Sequence, residues 1–445
     1  MCSSKKQLAV IALGAVSVLT TTARAAEPDD ARVEDLRRQI AQLQTRLDTF
    51  EKQQQQQQPS GSDDVARTVD AIVNDAYARS QLLQTTAAEV QAGYDKGFFI
   101  RSDDGNFLLK PGVNFQFRSI TNYDSATDDL QNGFEVRRIR PYVSGNAFTP
   151  KLTYLFQWDT SRTDGSLSLL DAYVQYRFDD EWAVKVGQFK ESVFHEKDVS
   201  IFAQLLVDRS LVDALIGGNI TDRVQGISLI YGGTDTSDLR IEGTFSDGAH
   251  SENTNFQDPP TNPYDFGFAG RVEYKLFGNW ADYSKEFTAR STKENVLVVG
   301  AGGDFSQDGD TNQALFVLDA LYKISGRWSI FGALNGRTLD NGTDDSFTWS
   351  ALGQVGYAID QRWEPFARYD VISFDDPGAG REVFNELAVG VNYYLGDNGS
   401  AGQRAKLSLD FLWLPDGAPS DQTGIGVLAS DDAEYVLRAQ FQLML

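Results

Sequence analysis

The sequence predicts an all-β transmembrane barrel of 16 antiparallel strands with an N-terminal α-helical coiled-coil extension. Three features of its 445 residues predict this fold: an export leader, a short heptad repeat, and, from about residue 98 onward, strict alternation of apolar and polar residues. Alternation keeps the mean hydropathy low, at −0.35, because lipid-facing and water-facing side chains cancel in the average.

Residues 1–25 are predicted to be a signal peptide. Lys5 and Lys6 precede an apolar run over residues 8–19, and Ala23-Arg24-Ala25 supplies a cleavage pattern of small residues. An apolar run this short cannot span a bilayer, which disfavours a membrane anchor. The one cysteine, Cys2, lies in this leader, so the exported chain has no thiol for a disulfide or a zinc site. We expect export to the outer membrane of a Gram-negative-type cell envelope.

Residues 26–58 are predicted to form a periplasmic coiled-coil segment, and residues 59–97 a linker and a helix. Val33, Leu36, Ile40 and Leu43 begin a heptad pattern of three heptads. This length is short, so a surface amphipathic helix is the alternative. Val and Ile at the first heptad position with Leu at the fourth favour, taken alone, a dimer rather than a trimer.

Residues 98–445 are predicted to be the barrel. Tyr154, Phe156 and Trp158 share one face of a strand, and Gln157 lies on the other. Sixteen such segments begin near residues 106, 134, 151, 168, 181, 222, 238, 264, 295, 312, 327, 346, 361, 382, 404 and 433. Long connections are expected at about 121–133, 160–167, 190–221, 247–263, 306–311, 339–345, 375–381 and 415–432. Short turns alternate with them, except for one longer connection at 278–294, as in up-and-down membrane barrels.

Three tryptophans support a membrane barrel. Trp182, Trp328 and Trp363 each follow a short turn, which predicts an aromatic girdle at one membrane interface. The competing fold is a soluble β-sandwich or propeller, which needs shorter strands and buried faces on both sheets.

The charge composition excludes several classes of function. With 63 acidic and 40 basic residues the formal net charge is −23, which argues against nucleic-acid binding. Only His195 and His250 are present, and no Gly-x-Ser-x-Gly motif occurs. We therefore predict no catalytic residue, no metal site and no cofactor. Much of the acid falls in the predicted outer loops: Asp128, Asp129, Asp308, Asp310, Asp344, Asp345, Asp375, Asp376, Asp431 and Asp432.

Cations recur on the face of the strands that is predicted to line the pore. They are Arg118, Arg177, Lys185, Arg271, Lys275, Lys323, Arg337, Arg368, Lys406 and Arg438. Acids accompany them, so the alternative for each residue is an ordinary solvated barrel wall. Arg138 and Arg140 share one face, and strict alternation places Arg137 on the opposite face.

The loop at 190–221 is predicted to constrict the barrel. Its apolar residues, such as Phe202 and Leu206, are unusual for an exposed loop, so we expect it to fold inward. That fold would bring Lys197 and Arg209 to the narrowest point, with Lys190 and Arg223 at the flanking strand ends as further anion-binding candidates. Packing at a subunit interface is the alternative.

Several motifs in order resemble the phosphate-selective porin O and P family. They are Asp95-Lys96-Gly97-Phe98-Phe99-Ile100, Val136-Arg137-Arg138-Ile139-Arg140, Asp171-Ala172-Tyr173-Val174-Gln175-Tyr176, Val186-Gly187-Gln188-Phe189-Lys190 and Asp208-Arg209-Ser210-Leu211. The resemblance covers about 95–445 and implies a trimeric, sixteen-stranded outer-membrane channel that admits anions such as phosphate or polyphosphate. Two departures stand out. Residues 191–195 lack the proline of many relatives, and residues 98–445 hold 50 acidic but only 29 basic side chains.

The sequence thus predicts a porin for passive diffusion of small anions such as phosphate or polyphosphate. The expected partners are outer-membrane lipid, two further copies in a homotrimer, the permeant anions and, through residues 27–58, the cell wall. Two alternatives remain open: a general porin without anion selectivity, and a structural barrel that tethers the outer membrane to the cell wall through the coiled coil.

Overall fold

The computed structural model describes residues 41, 45–46, 90–95, 97–217, 222–255, 264–342, 344–375 and 381–445. The chain divides into two units, Met1–Thr86 and Ala87–Leu445. In the first unit, Ala41, Thr45 and Arg46 are helical, and the hydroxyl of Thr45 donates to the carbonyl of Ala41 at 2.8 Å. The predicted signal peptide and the rest of the predicted coiled coil, linker and helix up to residue 89 lie outside the described residues. Within the described ranges, no helix has the length and apolar character needed to cross a membrane.

The second unit contains a closed antiparallel barrel of sixteen strands, as predicted. The strands are β3 Leu108–Asp124, β4 Asp129–Ala147, β5 Thr149–Thr160, β6 Leu167–Arg177, β7 Trp182–Lys190, β8 Arg223–Gly232, β9 Leu239–Ser246, β10 Phe266–Phe277, β11 Val296–Asp308, β12 Thr311–Ile324, β13 Trp328–Asp340, β14 Asp345–Tyr357, β15 Trp363–Phe374, β16 Val383–Tyr394, β17 Ala405–Leu414 and β18 Glu434–Met444. Each strand pairs with the next along the chain, and β18 pairs with β3 to close the barrel, for example at Tyr435 opposite Tyr123.

The strand positions agree closely with the sequence pattern. All strands begin within two residues of the predicted start except β4, which begins at Asp129, five residues earlier than predicted. Two connections predicted to be long, 121–133 and 306–311, are instead tight turns at 125–128 and 309–310. The reason is that the backbone ladder continues past the apolar pattern, to Asp124 opposite Asp129 and Asp308 opposite Thr311.

A small hairpin precedes the barrel. Its strands are β1 Val90–Tyr94 and β2 Phe98–Ser102, and β2 continues the pairing onto β3. The sequence assigned residues 90–94 to the end of the linker and helix. The turn between the two strands contains Gly97, whose φ of 147° suits glycine.

The two faces of the barrel wall differ as the alternation predicts. On β17, Leu407, Leu409, Phe411 and Trp413 are exposed on the outer face, whereas Lys406, Ser408 and Asp410 are buried inside. The three girdle tryptophans lie on the outer face at the end of the barrel with the short turns. Each pairs with a tyrosine on the neighbouring strand, at ring-centroid distances of 4.9 Å for Trp182 and Tyr231, 4.5 Å for Trp328 and Tyr357, and 4.6 Å for Trp363 and Tyr393.

Two segments fill part of the barrel interior. The first, residues 191–222 between β7 and β8, contains α1 His195–Asp198, a 3₁₀ turn Ile201–Ala203 and α2 Leu211–Leu215. The second, residues 278–295 between β10 and β11, contains α3 Trp280–Ser284 and is here called the turn-end insert. Their apolar side chains form one core with inward residues of the barrel wall from β10 to β18. The apolar packing of the interior therefore lies against β10 to β18.

Candidate functional site

The loop at 190–221 lies inside the barrel because inward polar groups of several strands hold it. The carboxylate of Asp208 accepts hydrogen bonds from Arg118 and Arg138, both at 2.8 Å. Across the barrel, the backbone N–H groups of Val207 and Leu211 donate to carboxylates on β17 and β15, both at 3.1 Å. The inward course expected from the apolar residues of this loop is therefore seen.

A basic cavity of about 210 Å³ remains between this loop and strands β4, β7 and β8. It is called the upper cavity here. Seven cationic side chains line it: Arg137, Arg138, Arg140, Lys190, Lys197, Arg209 and Arg223. Three carboxylates also line it: Asp208, Asp213 and Asp222. The lining thus carries an excess of positive charge in a chain whose formal net charge is −23.

The predicted orientation of Arg137 is wrong. Gln116 on β3 lies opposite Arg138, but the next residue, Phe117, lies opposite Val136, so Arg137 is the extra residue of a β-bulge. A bulge breaks the two-residue alternation and turns the extra side chain away from its expected face. Arg137 therefore lines the upper cavity together with Arg138 and Arg140.

The cations predicted to form the constriction have two kinds of partner. Lys197 and Arg223 form ion pairs with Asp222 at 2.9 and 2.7 Å, and Arg223 also pairs with Asp171 at 3.1 Å. The ammonium group of Lys190 instead donates to the carbonyl of Lys197 at 3.0 Å. These contacts place all four predicted anion-binding candidates together at the upper cavity.

Arg209 is held by backbone carbonyls. Its guanidinium donates to the carbonyls of Glu196 at 3.0 Å and Val199 at 2.9 Å. A carbonyl is a dipole without net charge, so it orients a guanidinium or ammonium group without neutralising it. Arg209 therefore keeps more of its field than a cation in an ion pair would.

Two carboxylates of the upper cavity, those of Asp208 and Asp222, stay ionised. Burial by itself raises the pKa of Asp208, but the guanidinium groups of Arg138, Arg137 and Arg118 outweigh burial and hold this pKa well below its ordinary value. The pKa of Asp222 is lowered in the same way, with Lys197 and Arg223 outweighing burial. These two groups therefore do not change the net charge of the cavity when the pH varies around neutral.

A second cavity of about 550 Å³ adjoins the first and is called the lower cavity here. Lys190 lines both cavities. Of the predicted pore-lining cations, Arg177 and Lys185 line the lower cavity. Its charges are mixed, since Lys185 pairs with Glu242 at 2.7 Å and Arg240 pairs with Glu273 at 2.8 Å. The two cavities together follow the side of the barrel formed by β4 to β9.

The remaining pore-lining candidates face inward but bind other parts of the protein. Arg118 binds Glu135 and Asp208, Arg271 binds Asp319 and the Val193 carbonyl, Lys323 binds the carbonyls of Asp282 and Glu286, Arg337 binds Gln313, Arg368 binds Glu386 and the Asp208 carbonyl, Lys406 binds the Gln204 carbonyl, and Arg438 binds Asp410 and the Ile425 carbonyl. Most of them fasten the internal segments to the wall. Their inward orientation follows from strand alternation, but each of them binds protein groups inside the barrel.

Sequence reasoning missed Arg137, Arg138 and Arg140 as residues of the site. The signal was present, because three arginines stand within four residues of one strand. Strict alternation separated them, and nothing in a single sequence marks the position of a bulge.

Residues 110–259, about a third of the chain, match the sequence profile of the family phosphate-selective porin O and P. The family resemblance is confirmed. None of the curated proteins compared matches the sequence. The family match includes β4, β7, the loop at 190–221 and β8, which supply all seven cationic side chains that line the upper cavity.

Solved structures support the fold of this family. An anion-selective porin from Comamonas acidovorans has a TM-score of 0.53 and 12% sequence identity, and the match covers 76% of this chain and 99% of that one. OmpF of Salmonella typhi in complex with daunomycin has a TM-score of 0.51 at 11% identity, covering 79% and 100%. OprB of Pseudomonas putida has a TM-score of 0.51 at 10% identity, covering 76% and 94%. These likenesses show the fold, a β-barrel of the kind that porins have.

Proposed function

We propose that the protein is an anion-preferring porin for passive diffusion of small anions such as phosphate or polyphosphate. The observation that carries this proposal is the upper cavity, where seven cationic side chains meet at the point where the inward loop narrows the barrel. The anion-selective porin of similar fold and the matching family are consistent with it. A homotrimer, as the family resemblance implies, is proposed for the assembly.

The physical basis is a local positive field at a narrow point of a water-filled passage. Arg209 supplies charge that its carbonyl partners do not neutralise. Guanidinium groups can also donate two parallel hydrogen bonds to an oxyanion. Permeation requires each binding site to stay weak enough for release. Cations spread over β4, β7, β8 and the loop offer several such sites in succession.

A second candidate is a general porin without anion selectivity. The lower cavity favours it, because its cations and carboxylates pair with one another and leave little net field. The proposed cell-wall tether depends on residues 27–58, of which Ala41, Thr45 and Arg46 are described, and it stays a prediction.

Reversal potentials in planar bilayers under a potassium chloride gradient test the function. We expect stepwise conductance and a preference for chloride over potassium. Lys190→Gln and Arg209→Gln should each lower the permeability ratio roughly fivefold, because a unit charge at 4 Å contributes about 1 kcal/mol even in water. Lys293→Gln removes an exposed ammonium group of the turn-end insert and is the matched control.

The possible outcomes distinguish an anion-selective porin from a general porin and from a barrel that does not conduct. Absence of conductance would contradict the channel itself. Stepwise conductance with cation preference, or with no preference, would contradict anion selectivity and leave the general porin. Phosphate added to one side should reduce the chloride current in the wild type more than in Arg209→Gln.

A further inference from the structure

We propose that a second loop, residues 415–433 between β17 and β18, forms the other wall of the anion passage, and that Gly424 is a specificity-determining position in it. This proposal rests on the proposed anion preference and deepens it. It gives the anion passage two loop walls instead of one.

The β17–β18 loop turns into the barrel. Two isolated bridges, Ala418 with Ser430 and Gln422 with Val427, fold it into a narrow hairpin with residues 423–426 at its tip. Ile425 is 6% exposed and Val427 is fully buried, both within the core formed by the internal segments. Burial of apolar side chains at the tip gives the hairpin a stable inward position.

The backbone of the tip binds the arginine cluster. The carbonyl of Gly424 accepts hydrogen bonds from Arg118 and Arg137, both at 2.8 Å. The carbonyl of Ile425 accepts one from Arg438 at 2.8 Å. The amide of Asn122 donates to the next carbonyl, that of Gly426, also at 2.8 Å. Four side chains of the barrel wall thus hold three consecutive carbonyls of one loop.

Two loops therefore share the same arginines. Asp208 of the loop at 190–221 lies 2.8 Å from Arg118 and 3.6 Å from Arg137, and the β17–β18 loop binds both arginines as well. The first loop offers them a carboxylate, whereas the second offers carbonyls only. The second loop therefore fixes the position of the guanidinium groups and adds no negative charge to the one that Asp208 already brings, which suits an anion-preferring wall.

Gly424 is one of the residues with which this loop reaches the upper cavity. Gln422, Gly424 and Ile425 line that cavity. A Cβ atom at position 424 would lie 3.1 Å from Nη2 of Arg137, and its φ is outside the left-handed range, so the backbone itself tolerates a side chain. The missing side chain leaves room for the guanidinium, and any side chain introduced there enters the passage.

A matched pair of variants tests this assignment. Gly424→Asp adds a carboxylate beside Arg137, and Gly424→Asn adds a neutral side chain of the same shape. We expect Gly424→Asp to lower the chloride-to-potassium permeability ratio at least roughly fivefold, because the two charges would lie within about 4 Å. Gly424→Asn should change the ratio less than twofold. Equal ratios for the two variants would overturn the proposal.

Thr163→Asp controls for charge added elsewhere at the long-loop end of the barrel. Thr163 is exposed in the loop between β5 and β6. In 1 M potassium chloride the Debye length is about 3 Å, so a distant carboxylate is screened. Thr163→Asp should therefore leave the ratio unchanged. A decrease as large as that of Gly424→Asp would show a general field effect and overturn the local assignment.

A chemical measurement covers the case in which Gly424→Asp fails to assemble. The chain has one cysteine, Cys2, within the predicted signal peptide, so Gly424→Cys would be the only thiol of the exported protein. A negatively charged methanethiosulfonate reagent, added to an open Gly424→Cys channel, should reduce the anion current and the permeability ratio. A neutral reagent of similar size should leave the chloride-to-potassium permeability ratio higher than the negatively charged reagent does. Absence of modification, or modification without a change in ratio, would overturn the proposal.

Failure of this proposal differs from failure of the proposed function. A wild-type channel without anion preference contradicts the function whatever the variants do. An anion-preferring wild type whose ratio is the same in Gly424→Asp and Gly424→Asn keeps the function and removes the β17–β18 loop from the passage.

Discussion

At the scale of single residues, arginines in this barrel serve two different purposes. Arg271 and Arg438 each form paired hydrogen bonds to one carboxylate, Asp319 and Asp410, at 2.7–2.8 Å, so their charge is compensated where they are buried. Arg209 is oriented by carbonyls and stands at the upper cavity. The sequence predicts that all three belong to a barrel protein. Only their partners determine whether the charge of each arginine is compensated or acts on an ion in the passage.

Glu191, at the start of the inward loop, makes the free energy of unfolding depend on pH. Its two carboxylate oxygens are buried, and among the described residues the group that reaches them is another carboxyl, that of Asp304. Burial, together with the nearby carboxyl group of Asp304, raises the pKa of Glu191 well above its ordinary value. The protonated form is favoured in the fold, so the stabilisation is complete at acid pH and is lost as the pH rises toward the raised pKa.

We therefore expect the free energy of unfolding to fall with rising pH above about 4.3, with a contribution from Glu191 of at most about 1.4 kcal/mol per pH unit. Glu191→Gln cannot ionise and should remove this contribution. Urea unfolding in detergent micelles at several pH values between 5 and 9 measures it. The difference between variant and wild type should grow in favour of the variant as the pH rises; a constant difference would contradict the assignment.

At the scale of elements, two short segments divide the barrel interior because they pack against each other. The N–H group of Phe287 in the turn-end insert donates to the carbonyl of Ala203 in the loop at 3.1 Å. The ring of His195 stacks on Tyr283 at 4.1 Å between centroids. Helices of four or five residues are not stable alone, so α1 to α3 depend on this packing. The passage is left on the side formed by β4 to β9.

Gly302 on β11 permits the inward loop to lie against the wall. A Cβ atom there would be 2.3 Å from the carbonyl oxygen of Val193, which also accepts a hydrogen bond from Arg271. Gly302→Ala should cost about 1–3 kcal/mol of stability, as overpacking does, and should alter the conductance by displacing the loop. Gly353→Ala is the control, because a Cβ at that position meets nothing within 4 Å. Equal urea midpoints and conductances in the two variants would contradict this role.

At the scale of the whole molecule, charge of opposite sign is separated along the passage. The formal net charge is −23, yet the upper cavity has an excess of cations. Asp128, Asp129, Asp431 and Asp432 are exposed in or next to turns at the long-loop end. An anion approaching from that end passes an acidic rim before it reaches the basic cavity, and the rim acts over a distance that depends on ionic strength.

Neutralising these four aspartates to asparagine tests the rim. At 0.01 M salt the Debye length is about 30 Å, so we expect the variant to conduct anions better than the wild type. At 1 M salt the Debye length is about 3 Å and the two should conduct equally. Single-channel currents at both concentrations measure the effect. A difference that persists at 1 M would mean that the aspartates act locally and not through their long-range field.

The sixteen strands, their starts and their two faces follow from the sequence, because lipid on one side and polar groups on the other impose a period of two on every strand. The inward fold of the loop at 190–221 follows as well, since residues such as Phe202 and Leu206 need burial. The role of the four constriction candidates stays a prediction, but the structure places their side chains at one cavity.

What only the tertiary structure decided is which inward cations face the passage. Alternation states the side of a side chain but not what packs against it, so Arg438 and Lys406 were indistinguishable by sequence from Lys185. A single bulge at Arg137 reverses the assigned face without any local signal. Asp208 and Gly424 lie far apart along the chain and bind the same arginines only when the barrel closes. Those contacts belong to the packing of loops inside the wall and not to the strand pattern.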